Sequence, residues 1–133
     1  MQLKETITKE TDNRPPVAIA HVKLTVSDVS IATDFFLKLG LRHVTHSEEF
    51  AVLELRGGTH LVLRKTKEAI VPGTNAPFDL MVDDVFVTRD ALSELGFTPS
   101  EIETGRVHKS FTLSGPDGYL FTLTSSHTGG RVV

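Results

Sequence analysis

Side chains able to hold or polarise a small molecule recur at every second position in three stretches of this chain. His21, Lys23 and Thr25 form one set, His60, Val62 and Arg64 the next, and Thr122 and Thr124 the third. Spacing of two puts such a set on one face of a β-strand. The imidazoles offer nitrogen donors or a general base near neutral pH. Lys23 offers a point charge, and Arg64 a fork that grips carboxylate or phosphate. The residues between them are apolar: Val22, Leu24 and Val26; Leu61 and Leu63; Phe121 and Leu123. We therefore read the polar sets as lining a hollow and the apolar sets as facing a core, with Val62, Met81 and Leu120 as apolar members of the lining. Residues 107–113 present either His108, Ser110 and Thr112 or the opposite set Lys109, Phe111 and Leu113; the polar choice keeps the alternation more consistent. His43, His46 and His127 fall in an outer strand and a tail and receive no role.

The elements that must carry these sets occur twice. LTVSDVSIATDFFLKLG (24–40) matches LMVDDVFVTRDALSELG (80–96) at a shift of 56, and GGTHLVL (57–63) matches DGYLFTL (117–123) at a shift of 60. Two copies are too few for a solenoid and point to a paired, pseudo-symmetric domain. In each copy an apolar alternating run leads to a Ser27-Asp28 or Asp83-Asp84 helix cap. Apolar residues at helical spacing follow (Val29, Ala32, Phe35, Phe36 and Leu39 in the first copy), and Gly40 or Gly96 ends the helix. Strands over 42–48, 50–56 and 59–65 complete the first copy. A strand at 78–82, a weak strand or loop at 97–106, and strands at 107–113 and 119–124 complete the second. Each unit reads β-α-β-β-β.

The expected division is a flexible arm over 1–16, a single domain over 17–125 and a tail over 126–133. Within the domain, module one spans 17–66, a Pro/Gly linker 67–76 and module two 77–125. At 133 residues the chain is long enough for one real core. A net charge of −3, with no block of five like charges, argues against nucleic acid or an anionic membrane as partner. No apolar run approaches the ~18 residues that span a bilayer, and the N-terminus lacks a secretion core. Cysteine is absent, which excludes thiol chemistry and fits a cytoplasmic protein. No phosphate-cradling glycine loop, H-E-x-x-H or nucleophile elbow occurs.

The duplicated unit resembles the vicinal oxygen chelate superfamily, which includes glyoxalase I, extradiol dioxygenases, and fosfomycin- and bleomycin-resistance proteins. The residues that carry the likeness are AHVKLTVSDVSIATDFFLKLGL, LMVDDVFVTRDALSELGF and SGPDGYLFTL. The resemblance implies an α+β fold of two β-α-β-β-β modules whose curled mixed sheets form a funnel, and a homodimer. It also implies metal-ligand positions at His21, Val62, Pro77 and Thr122, where only His21 is a conventional donor. A catalytic site needs about three protein donors. The expected function is therefore metal-independent, cofactor-free binding of an anionic or antibiotic-like small molecule, as in the bleomycin-resistance branch. The ligand set comprises His21, Lys23, Thr25, His60, Val62, Arg64, His108, Ser110, Thr122 and Thr124. The alternative is a lyase, isomerase or dioxygenase in which His21, His60 and a third donor such as His108 hold a metal; a third reading is a metal-free lyase or isomerase with His21 as general base and Lys23 or Arg64 as electrophile.

Overall fold

The computed structural model describes residues 12–133. Residues 1–11 of the expected arm lie outside them. In the remainder of the arm Arg14 forks onto Asp12 at 2.7 and 2.8 Å. That contact holds the Asp12 carboxyl down to about 2.

The first module runs β1 (His21–Val26), α1 (Val29–Leu39), β2 (Arg42–His46), β3 (Phe50–Glu54) and β4 (His60–Lys65). The second runs β5 (Leu80–Val82), α2 (Val85–Glu94), β6 (Glu103–Thr104), β7 (Lys109–Ser114) and β8 (Leu120–Ser125). Each module forms its own four-stranded sheet, ordered β1-β4-β3-β2 and β5-β8-β7-β6. The β1/β4 and β5/β8 pairs are parallel and the rest antiparallel, so both sheets are mixed. No helix among the described residues is long and apolar enough to cross a membrane.

The internal repeat is visible in the backbone itself. The helix caps Asp28 and Asp84 have φ/ψ of −136°/110° and −138°/108°; the Asp28 carboxylate accepts the Ile31 amide, and that of Asp84 the amides of Phe86 and Val87. That satisfies donors which a helix start otherwise leaves bare. Gly40 and Gly96 end the helices at φ 116° and 96°, a conformation that disfavours any side chain.

Alternation places the core as expected. Leu24, Val26, Ala51, Leu53, Leu61 and Leu63 of the first sheet are buried together with Phe111, Leu113, Phe121 and Leu123 of the second. Both modules share this one cluster, with α1 contributing Val29, Ala32, Phe35 and Phe36. Phe121 of β8 stacks on Phe35 at 5.5 Å and meets Phe36 edge-on at 5.4 Å. Aromatic pairs of this geometry add about 0.5–1.5 kcal/mol each beyond their burial.

A second tie is polar. The turn at Pro116–Gly118 docks on the end of β1: the Tyr119 hydroxyl donates to the Thr25 carbonyl at 2.8 Å, and the Ser27 amide and hydroxyl donate to the Asp117 carboxylate. Tyr119→Phe keeps the ring and leaves that buried tie unmade. It is expected to lower stability by about 0.5–1.5 kcal/mol, read from the midpoint of urea unfolding at unchanged slope.

Several expected elements are shorter than the pattern suggests: the strands expected at 42–48 and 50–56 end at His46 and Glu54. The strand expected at 78–82 pairs only over Leu80–Val82. Pro77 has no amide to donate, and the linker end at Asn75 has already bridged to Leu120. The uncertain stretch 97–106 contributes only Glu103 and Thr104, paired with Ser110 and Lys109.

Candidate functional site

The β1/β4 ladder sets six of the expected ligand-binding residues in three rows: His21 beside His60, Lys23 beside Val62, and Thr25 beside Arg64. All six lie on the face opposite the core. His21, Lys23, Thr25 and Arg64 are exposed, while His60 and Val62 are half-buried. The His21 and His60 rings lie 6.1 Å apart, tilted by 50°. β3 extends the rows with Glu54 beside His60, Val52 beside Val62 and Phe50 beside Arg64. Glu54 is held by Arg42 at 3.2 Å. Among the described residues Lys23 and Arg64 have no carboxylate within salt-bridge reach, whereas Lys65, on the opposite face of β4, pairs with Glu48. The face thus carries two cations, one row apart, with no carboxylate partner among the described residues.

The second sheet offers hydroxyls. Phe111 and Leu113 are buried, which puts Ser110 and Thr112 on the outer face of β7. There Ser110 lies beside Thr124 and Thr112 beside Thr122. This decides between the two faces that the sequence left open at 107–113. Met81 of β5 lies beside Thr124 and is 48% exposed. His108 precedes β7; its Nδ1 sits 3.3 Å from the Ser125 carbonyl oxygen, and its ring meets His127 edge-on at 4.4 Å. Two of the histidines given no role on sequence, His43 and His46, touch each other on the edge strand β2, Nε2 to Nδ1 at 2.7 Å. A bulge between residues 43 and 45 brings them together, and a bulge leaves no trace in a period-two pattern.

The metal that the resemblance implies does not fit these residues. Val62 and Pro77 have no donor atom, and Thr122 offers only a hydroxyl among other hydroxyls. Among the described residues no three His, Asp or Glu side chains converge as metal ligands.

Within one chain His21, Lys23, Thr25 and Arg64 of the first polar face stay exposed, while Ser110, Thr122 and Thr124 of the second are half-buried. The contacts between modules run through the shared core, the docked turn at Pro116–Gly118 and an ion pair from Arg56 to Asp83 at 3.0 Å. The cavity at the seam, about 620 Å³, has none of the ten expected ligand residues in its wall. Sequence reasoning missed this cavity and also missed the role of Tyr119. The available signal was the mismatch between the copies, where Tyr119 and Phe121 stand against Thr59 and Leu61.

Solved structures of glyoxalase/bleomycin resistance/dioxygenase proteins share this fold of two mixed β-α-β-β-β sheets. A lactoylglutathione lyase from Agrobacterium tumefaciens superposes with a TM-score of 0.70 at 18% identity, over 85% of this chain and 96% of its own. A superfamily member from Sphaerobacter thermophilus gives 0.68 at 23% identity, over 83% and 98%. One from Alicyclobacillus acidocaldarius gives 0.69 at 17%, over 90% and 99%. No family model matches the chain, and no curated protein does. At these identities the likeness extends to the fold and leaves chemistry to the residues.

Proposed function

We propose that the protein binds a small anionic molecule without a metal, on the outer face of the first sheet. The observation that carries this reading is the pairing of Lys23 and Arg64 with His21, His60 and Thr25 on adjoining strands, with both cations free of carboxylate partners among the described residues. The guanidinium and ammonium would take a carboxylate or phosphate. Thr25 and the imidazoles would add hydrogen bonds, and Val62 an apolar floor.

A ligand on an open sheet face keeps much of its water. We therefore place the second sheet of another copy over it, as a homodimer, with Ser110, Thr122 and Thr124 facing the ligand and His108 at the rim. The exposure of apolar Phe50 and Met81 on these same faces supports that arrangement.

The test is a thermal-shift screen of carboxylate- and phosphate-bearing compounds in the presence of a chelator. A compound at a hundred times its Kd stabilises the folded state by about 2.7 kcal/mol by mass action. The reading predicts such shifts with the chelator present, and no stoichiometric zinc, nickel, manganese or ferrous iron after dialysis. One tightly held metal per chain, lost in His21→Ala and His60→Ala, would replace it with the lyase or dioxygenase reading.

A further inference from the structure

The two junctions between the modules are related by the repeat but are filled differently. At one, the Pro116–Gly118 turn closes onto β1, with Pro116 and Tyr119 buried. Phe121 and Phe97 pack there on Phe35, and Gly115 leaves no room for a side chain: a Cβ would lie 2.5 Å from the Phe121 ring and 3.1 Å from Phe35. At the other junction the corresponding turn, Arg56–Gly58, faces β5. The repeat places Thr59 where the first junction has Tyr119, Leu61 for Phe121, Leu41 for Phe97 and Ala91 for Phe35. Ala91 is exposed, where Phe35 is buried. The smaller side chains do not fill the space, and the cavity of about 620 Å³ lies there, walled by Val22, Leu41, Phe78 and Val82 and also by the charged Glu54, Arg56 and Asp79. That volume is within the range of ligand sites, roughly 300–1,000 Å³.

The filled junction indicates what the open one accepts. Tyr119 donates its hydroxyl to the carbonyl of Thr25, on the edge of β1 that faces away from β4. The matching carbonyl on β5 is that of Met81. In a parallel ladder successive carbonyls point to opposite sides. Val82 directs its own toward the β8 side, where Ser126 donates to it, so Met81 directs its carbonyl off the sheet edge, and Met81 lines the cavity.

We propose that this cavity is a second binding site, separate from the polar sheet face, for a neutral hydroxylated aromatic molecule. Its rings would occupy the space that Tyr119 and Phe97 fill in the twin junction, and its hydroxyl would donate to the Met81 carbonyl. Half-buried apolar walls favour the rings, and a donor matched to a bare edge carbonyl gives orientation.

The test uses 2-naphthol, with 2-methoxynaphthalene as the probe that cannot donate. Thr59→Tyr restores the twin's own ring. Thr59 and Tyr119 share backbone angles (φ −63°, ψ 133° and φ −56°, ψ 140°), so the replacement can follow the same path. The full chain is expected to bind one 2-naphthol, with fluorescence or chemical-shift changes at the cavity residues. The methoxy analogue should bind roughly 2- to 13-fold more weakly, the loss of a hydrogen bond. Thr59→Tyr should abolish binding, and Leu41→Phe, a smaller change that guards against misfolding of the first variant, should weaken it. Arg64→Ala should leave it unchanged, since Arg64 is on the other face.

Absence of saturable binding to the full chain overturns the proposal, as does equal affinity in Thr59→Tyr and Leu41→Phe. Equal affinity for the methoxy probe removes the Met81 contact and with it the stated ligand class. Binding that appears only after residues 1–11 are removed assigns the cavity to that segment. Conversion of a wild-type dimer to monomer by Thr59→Tyr assigns it to a second copy; either result overturns the small-molecule assignment.

Discussion

Phe121→Ala is expected to lower folding stability by about 3–5 kcal/mol, the usual cost of removing a buried phenylalanine. Much of a small domain's total stability of ~5–15 kcal/mol would go with it. Phe121 is fully buried and touches Phe35 and Phe36 of α1 as well as Phe78 and Tyr119 of its own module. Its loss opens a void at the junction that joins the two sheets. Phe35 lies in the same cluster, so the double variant with Phe35→Ala should lose less than the two single losses together, by about 0.5–3 kcal/mol. Guanidinium unfolding followed by far-UV circular dichroism measures both. A loss under about 1 kcal/mol for Phe121→Ala would show that each module is held by its own core and not by the shared one. Gly115→Ala attacks the same place from the opposite direction. The added methyl has to displace two packed rings, at an expected cost of about 1–3 kcal/mol.

Arg64→Ala is expected to weaken an anionic ligand by about 1.5–3 kcal/mol, or roughly 10- to 150-fold, once that ligand is covered by the second copy. Calorimetric titration at two salt concentrations measures this. Lys23→Ala should lose less, because an ammonium supplies charge without the bidentate fork. In wild type the affinity should fall as salt rises, and fall less steeply in either variant. Affinity that is equal in wild type and Arg64→Ala at low salt removes Arg64 from the site. If the sheet face is closed by a partner, the same variant leaves the dimer intact, which separates loss of the ligand contact from loss of assembly.

Much of this architecture was legible before any coordinate. The shift of 56 pairs Asp28 with Asp84 and Gly40 with Gly96, and both pairs serve as helix start and stop with nearly superposable backbone angles. The alternation around His21 and around His60 put Lys23, Thr25, Val62 and Arg64 with them on the face away from the core, where they lie. These features are local: a side chain's direction in a strand or a helix follows from its position within that element.

The spatial relations between elements were not legible in the same way. Whether His108 or Lys109 faces the core depends on which side of β7 meets the helix, and Phe111 decides it by packing in the cluster shared with module one. The resemblance implied a funnel, but it did not say that one chain leaves His21, Lys23, Thr25 and Arg64 exposed. That depends on the modules joining through Phe121, Phe35 and Tyr119, residues about 90 positions apart in the chain where Tyr119 meets Thr25. The unequal junctions are the sharpest instance: Thr59 against Tyr119 is plain as a sequence difference, yet its result is an empty space, and a space exists only once every surrounding side chain has been packed. Periodicity reports which way a residue points. What it points at is decided by long-range packing, in which small differences of volume between two related copies leave one seam closed and the other open.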